Sequence, residues 1–176
     1  IDEYFFNNRA WFMDFLDALE RSRLGIQWGA AFHVKTVNSN KDLLLHAKSL
    51  GLQFVSVSPE SGNDRILKLL NKHITVDEII KCFDFLTANG FSPSSSFMTH
   101  LPTESEEERQ DTFRLKEKLQ KMCDDRGVPS YLMGPQPFRP YPGTKLYSDY
   151  IANRGYLPVS LDDWADFISP SGRALI

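Results

Sequence analysis

Two hydrophobic patterns take turns along this chain: apolar residues at helical spacing, and short apolar runs of the length of buried strands. Between Asn8 and Arg23, Trp11, Phe12, Phe15, Leu16 and Leu19 recur at helical spacing, and Gly25 stands where a left-handed cap would stop the helix. Ile26 to Val34 reads as a strand. Lys41 to Leu50 reads as a helix with Leu43, Leu44, Ala47 and Leu50 inward and Gly51 as its stop. Leu52 to Ser58, with Phe54, Val55 and Val57, has the look of a strand buried on both faces of a parallel sheet, and a short helix is predicted over Asp64 to Leu70. Thr75-Val76-Asp77-Glu78 is a capping box, in which the two side chains satisfy each other's orphan amides; Ile79, Ile80, Phe83 and Leu86 form the buried stripe before Gly90. Phe91 to Thr99 is predicted as a strand despite Ser94, Ser95 and Ser96, because it lies between two well-marked helices and ends in Phe97-Met98. Ser105-Glu106-Glu107-Glu108 opens a helix that runs to about Met122, with acids against its positive end. Tyr131 to Phe138 is the last predicted strand.

Helix and strand therefore alternate, with capping glycines at 25, 51 and 90, which calls for βαβ units around a parallel sheet. Ile1 is not an initiator, and Ile1 to Phe6 reads as the end of a further strand entered midway, so the chain is expected to be a fragment. A closed eightfold barrel takes ~250 residues. The expected fold is thus α/β: part of a TIM-like (β/α) barrel, with helices outside the sheet, truncated at the N-terminal side. Residues 1–139 are assigned to the C-terminal portion of that barrel. Residues 140–176, rich in Pro, Tyr and Gly at their start, form an extension with a short helix near Lys145 to Asn153 and an irregular tail after Leu157.

At 176 residues, 41% hydrophobic and 24% charged, the composition suits one soluble globular domain with a core. The net charge is −3 and the 20 Lys and Arg are scattered, so no nucleic-acid-binding face is evident. No stretch has the ~20 apolar residues of a membrane span, and no secretory signal opens the chain; a cytoplasmic location is expected. Cys82 and Cys123 lie far apart in predicted helices, at neither disulfide-framework nor metal-ligand spacing, and no metal site is assigned to this chain.

Chemistry concentrates at the predicted strand ends: Asp2-Glu3, Ser58-Pro59-Glu60-Ser61-Gly62, Thr99 to Glu104, and Pro140 to Thr144. Ligands of parallel α/β sheets bind outside the carboxyl ends of the strands, so these segments point to one shared pocket. Glu60 can accept hydrogen bonds from an amine or a ribose hydroxyl, or it can cap the helix at Asp64.

The order and wording of these segments resemble the second half of a radical S-adenosylmethionine (radical SAM) enzyme. Ser58 to Asn63, Ile66-Leu67, Lys72 and Thr75 to Glu78 are similar to that family's strand, Glu-Ser-Gly, short helix, Lys and Thr-x-Glu helix start. Phe97 to Ser105 resembles its apolar strand followed by Gly-Leu-Pro-Gly-Glu-Thr. Asp2-Glu3-Tyr4-Phe5 and Pro140 to Thr144, with Leu146-Tyr147 and Gly155, are similar to the subgroup often joined to a cobalamin-binding domain.

The resemblance implies roles. Glu60 would lie beside the methionine or ribose part of S-adenosylmethionine, Lys72 would meet its carboxylate, Ser96 stands at a ribose-contacting position, and Leu101 would rest near the adenine. Asp2 and Glu3 would line the barrel mouth near the substrate, and His33 and His100 are candidate substrate contacts or proton carriers. Where the family has glycines, this chain has His100 and Thr103. The family's Cys-x-x-x-Cys-x-x-Cys loop for a [4Fe-4S] cluster is absent; in relatives it lies upstream of the position of Asp2. The resemblance further implies reductive cleavage of S-adenosylmethionine, removal of a hydrogen from a small-molecule substrate, an electron donor such as flavodoxin or ferredoxin, and cobalamin in some parents. The fragment by itself is expected to be inactive and to self-associate through an open sheet edge. Two other readings stay open on the residues: a metal-dependent hydrolase or lyase using Asp2, His33, Glu60 and His100, and a degenerate barrel that binds a nucleoside or partner without catalysis.

Overall fold

The structure, a computed structural model, describes residues 4–6, 8–154 and 158–168. Its centre is a four-stranded parallel sheet in the order β1 (Trp28–Ala31), β2 (Leu52–Ser56), β3 (Ser92–Thr99), β4 (Tyr131–Pro137). Helices α1 (Arg9–Ser22), α2 (Val34–Ser39), α3 (Lys41–Ser49), α4 (Asp64–Leu69), α5 (Val76–Ala88) and α6 (Glu106–Asp125) precede or connect the strands; α7 (Lys145–Arg154) and α8 (Leu161–Ile168) follow β4. This is part of a (β/α) barrel, as the alternation predicts. Among the described residues no helix is long and apolar enough to cross a membrane.

The predicted capping boxes form at both places: Thr75 Oγ1 accepts from the Glu78 amide and Ser105 Oγ from the Glu108 amide, each at 3.3 Å, with the glutamates returning the bond. Three expectations need correction. Ile26 to Val34 is not one strand; β1 ends at Ala31, and His33 caps a short helix whose Val34 and Val37 are buried. Val34, the predicted end of the strand, instead joins Val37, three residues on and outside any predicted element, in a helix packed on α5, where Asn38 Nδ2 donates to the Glu78 carbonyl at 2.9 Å. The left-handed cap of α1 is Arg23 (φ 51) rather than Gly25. The tail after Leu157 is not wholly irregular, since Asp163 accepts from the amides of Val159 and Ser160 and starts α8, and Trp164 stacks on Tyr147 of α7.

A continuous core lies between sheet and helices. Phe12 and Leu16 of α1, Phe32, Val55 and Phe97 from the strand layer, Ile79, Phe83 and Leu86 of α5, and Leu119 of α6 are all at most 1% exposed. Each such side chain contributes roughly 1.5–3 kcal/mol by leaving water. Aromatic rings weld the β1 side: Phe5 meets Trp11, Phe12, Phe15, Trp28 and Phe32 within 6.3 Å. Gly51 is required here twice over, by φ 95 and because a Cβ would come within 1.9 Å of the Ile26 carbonyl oxygen.

The opposite face of the sheet is open. On β3 burial alternates, with Pro93, Ser95, Phe97 and Thr99 under the helices and Ser92, Ser94, Ser96 and Met98 on the other side. The open face therefore carries Ser94 and Ser96, two of the three serines that look out of place in a strand, and Ser95 lies on the covered face. Ser94 lines, with Ala31, Phe54, Ser56 and Phe5, a shallow hollow of about 470 Å³ at the β1 side.

Candidate functional site

The site is built at the carboxyl ends of β1, β2 and β3. Beyond Ser56 the chain stays against β3: the Val57 amide donates to the Ser94 carbonyl at 2.9 Å, the Glu60 amide to the Ser96 carbonyl at 3.3 Å, and the Met98 amide to the Glu60 carbonyl at 2.8 Å. Glu60 adopts φ 71 to make this extra rung, a left-handed conformation that a non-glycine residue takes only where surrounding contacts enforce it. Its carboxylate is thereby fixed on the rim.

Lys72 arrives from the turn after α4. Its amide donates to the Leu67 carbonyl at 3.0 Å, and it sits between Asn71 (φ 55) and His73 (φ 53), both left-handed. The ammonium reaches back across the rim to Glu60 Oε1 and to the Ser58 carbonyl, 3.2 Å each. Ser96 Oγ lies 3.5 Å from Glu60 Oε2, at the outer edge of hydrogen-bond reach. The Glu60 and Lys72 side chains are 14% and 21% exposed, sheltered yet open to a ligand. Glu60 is not the cap of α4: Asn63 fills that role, accepting from the Arg65 and Ile66 amides.

Of the sequence-predicted site residues, Glu60, Lys72 and Ser96 thus meet directly. His33, just past the end of β1, caps α2 by accepting from the Lys35 amide at Nδ1, 3.2 Å, and burial holds its imidazole below the ordinary value. Leu101 and His100 belong to a neighbouring cluster. Leu101 is 1% exposed and its amide donates to Glu104 Oε2 at 3.2 Å. Both His100 ring nitrogens are engaged, Nδ1 with Thr99 Oγ1 at 3.0 Å and Nε2 with Arg109 Nη1 at 3.2 Å. Because arginine only donates, Nε2 accepts and Nδ1 carries the hydrogen, which defines a neutral ring. Asp2 and Glu3 lie outside the described residues.

Sequence reasoning missed the residues that tie the two rim loops to α6. Gly62 passes so close to that helix that a Cβ would stand 2.4 Å from the Asp111 carbonyl oxygen, and its amide donates to Thr112 Oγ1 at 3.0 Å. Asn63 donates to Asp111 Oδ2 at 2.8 Å. Arg65 donates to the Thr103 carbonyl at 2.9 Å, to the Thr103 hydroxyl, and to the carboxylate of Glu108, whose carboxyl is held at about 2 chiefly by that guanidinium. Glu104 is buried, with its carboxyl raised by burial and Oε1 without a partner among the described residues. No local signal in the sequence announces these contacts, because each joins segments about 40 or more positions apart or depends on a loop's path.

Groups of three or more His, Cys, Asp or Glu able to hold a metal are absent among the described residues. Cys82 is buried in α5 with its thiol pushed up to about 12 by burial, and Cys123 is buried in α6 and raised in the same direction for the same reason. Neither offers a thiolate, so the described cysteines do not fit an iron–sulfur cluster.

The family model of the radical SAM superfamily matches residues 11–115, more than half of the chain and the whole of the rim just described up to α6. The chain belongs to the radical SAM superfamily. It is 26% identical over 108 residues to the anaerobic magnesium-protoporphyrin IX monomethyl ester cyclase of Rubrivivax gelatinosus, covering 61% of this chain and 20% of that protein. It is 28% identical over 153 residues to an uncharacterized methyltransferase of Pyrococcus horikoshii, covering 87% and 31%. The chain therefore spans between a fifth and a third of the length of these relatives. Among solved structures it is similar to the cobalamin-dependent S-adenosylmethionine radical enzyme OxsB with aqua-cobalamin and S-adenosylmethionine bound, with TM-score 0.54 and 15% identity over 66% of this chain and 20% of that one. The archaeal Elp3 of Methanocaldococcus infernus gives 0.53 and 18% over 84% and 34%. At such identities the likeness is one of fold, the radical SAM partial barrel.

Proposed function

We propose that this chain is the C-terminal part of the barrel of a radical SAM enzyme and that Glu60, Lys72 and Ser96 hold the methionine end of S-adenosylmethionine. One observation carries the reading: a carboxylate and an ammonium 3.2 Å apart on the rim above an open, uncharged sheet face. An amino-acid zwitterion presents the complementary pair. Its ammonium can take the place of Lys72 at Glu60, and its carboxylate can meet the ammonium so released. Ser96 can donate to or accept from a ribose hydroxyl. In this reading the adenine rests against the backbone of the His100 to Glu104 turn, with the buried Leu101 packed behind it.

When bound, S-adenosylmethionine supplies hydrogen-abstracting chemistry in this family after one-electron reduction by a [4Fe-4S] cluster. The residues described here orient the cofactor and close one wall of the cavity for a small-molecule substrate. Electron delivery by a flavodoxin or ferredoxin, and cobalamin as a second cofactor, belong to the same proposal for the full-length protein.

The test is anaerobic reconstitution of the full-length protein, assayed for 5′-deoxyadenosine and methionine under a chemical reductant. Wild type is expected to form both. Glu60→Gln and Lys72→Met are each expected to weaken S-adenosylmethionine binding about tenfold or more, measured by equilibrium dialysis. A reconstituted protein that neither binds nor cleaves it would remove this reading.

A further inference from the structure

The turn from His100 to Glu104 is left-handed near both ends: His100 has φ 61 and Thr103 φ 63, conformations that residues with a Cβ keep only where neighbours enforce them. Thr103 is held by Arg65 of α4. The start of the turn is held from α6. Arg109 Nη1 donates to His100 Nε2 at 3.2 Å, and His100 Nδ1 donates to Thr99 Oγ1 at 3.0 Å. Thr99 is 2% exposed and lies on the covered side of the sheet, so both contacts draw the imidazole toward α6.

The same guanidinium reaches the far end of the turn. Its Nε stands 4.0 Å from Glu104 Oε2, the oxygen that accepts from the Leu101 amide at 3.2 Å, and the Glu104 amide donates to the Leu101 carbonyl at 3.1 Å. The Glu104 side chain is wholly buried, and neither its Oε1 nor Arg109 Nε has a hydrogen-bond partner among the described residues. A buried carboxylate short of donors depends on an opposite charge beside it, and Arg109 supplies one. Glu106 Oε2, 3.2 Å from Arg109 Nη1, steadies the guanidinium on its outer side.

We propose that Arg109 is a positioning residue: one guanidinium that fixes both ends of the His100 to Glu104 turn and so sets the backbone surface that meets the adenosyl group of S-adenosylmethionine. The assignment rests on the reading of this rim as the S-adenosylmethionine site. It makes the His100 ring part of the turn's support on the α6 side, rather than a proton carrier facing a substrate. Glycines at 100 and 103 would need no such grip. With His100 and Thr103 in their places, the turn relies on Arg109 at one end and Arg65 at the other.

The test separates the nucleoside from the amino-acid end of the cofactor. In the full-length reconstituted protein, Arg109→Met keeps most of the side chain's length and removes every donor. It is expected to bind S-adenosylmethionine about tenfold more weakly in equilibrium dialysis, and to lose the same factor for 5′-deoxyadenosine, which lacks the end that Glu60 and Lys72 would hold. Arg109→Lys, a point charge that cannot serve both ends of the turn, is expected to fall between wild type and Arg109→Met. His100→Gly is expected to restore part of the loss in the Arg109→Met background, because glycine takes the left-handed conformation unaided. Ring-nitrogen NMR on histidine-labelled protein is expected to show His100 as the Nδ1–H tautomer in the wild type and not in Arg109→Met. Wild-type affinity of Arg109→Met for both ligands, a loss confined to S-adenosylmethionine, or an Nε2–H or doubly protonated His100 ring in the wild type overturns the assignment. A wild type that binds neither ligand removes the cofactor reading instead, and the ring spectrum then sustains or overturns the grip of Arg109 on the turn. Should Arg109→Met fail to fold, Arg109→Lys and the ring spectrum decide.

Discussion

Thr103 is a β-branched residue at φ 63, a conformation that costs roughly 1–2 kcal/mol for a side chain bearing Cβ. Arg65 shows how it is maintained, by donating to both the carbonyl and the hydroxyl of Thr103 while pairing with Glu108. A glycine would take this conformation without that cost. Arg65→Ala is therefore expected to destabilise the protein by about 1–2 kcal/mol in denaturant unfolding, and Thr103→Gly is expected to recover more stability in that background than it adds to the wild type. Additive effects of the two substitutions would sink the idea. The same arginine holds Glu108 at about 2 against an ordinary 4.5. A carboxyl lowered in the folded state contributes stability that is fully present above its ordinary value and lost as pH falls through the folded one. Arg65→Ala should thus narrow the gap between wild type and variant on acidification between those values. Glu104, raised by burial, acts in the opposite sense over the carboxylate range. Neither Arg65 nor Glu104 was assigned a role from sequence, since their partners are set by how two loops fold against α6.

At the scale of elements, the best-specified helix is α5, whose capping box and buried stripe were both legible. Thr75→Ala removes one half of a reciprocal cap and is expected to cost about 1 kcal/mol in thermal or chemical unfolding. A loss no larger than that of an exposed surface substitution would show that tertiary packing alone holds the helix start. The short α2 is hard to see in the sequence because Val34, with strand propensity, continues the run of β1, and the cap is a histidine rather than one of the usual capping side chains. On β3 the three consecutive serines hid the alternation that defines the strand. They satisfy it because the open face accepts small polar side chains and the covered face accepts a buried Ser95 between Pro93 and Phe97.

For the molecule as a whole, four parallel strands leave one sheet face uncovered by helices among the described residues. Phe54 is 56% exposed, Tyr131 66% and Met133 39%, all on or beside that face. Outside β4, Phe113, Leu132 and Pro135 line a groove of about 430 Å³. Exposed apolar surface of this kind favours association. The 176-residue chain is expected to sediment as dimers or larger species, and Phe54→Ser with Met133→Lys to shift it toward monomer. A wild-type chain that stays monomeric at high protein concentration would count against this.

The order of elements, both capping boxes, the parallel α/β architecture and the strand-end motifs of the radical SAM superfamily were all present in the amino-acid sequence. Periodicity, caps and short motifs are local, and a local signal survives without coordinates. The identity of the open face, the left-handed rung at Glu60, the reach of Lys72 back to Ser58 and Glu60 and the grip of Arg65 on Thr103 were decided by the tertiary structure. Each depends on the distance and direction between backbone segments that only packing brings together, which no spacing along the chain encodes.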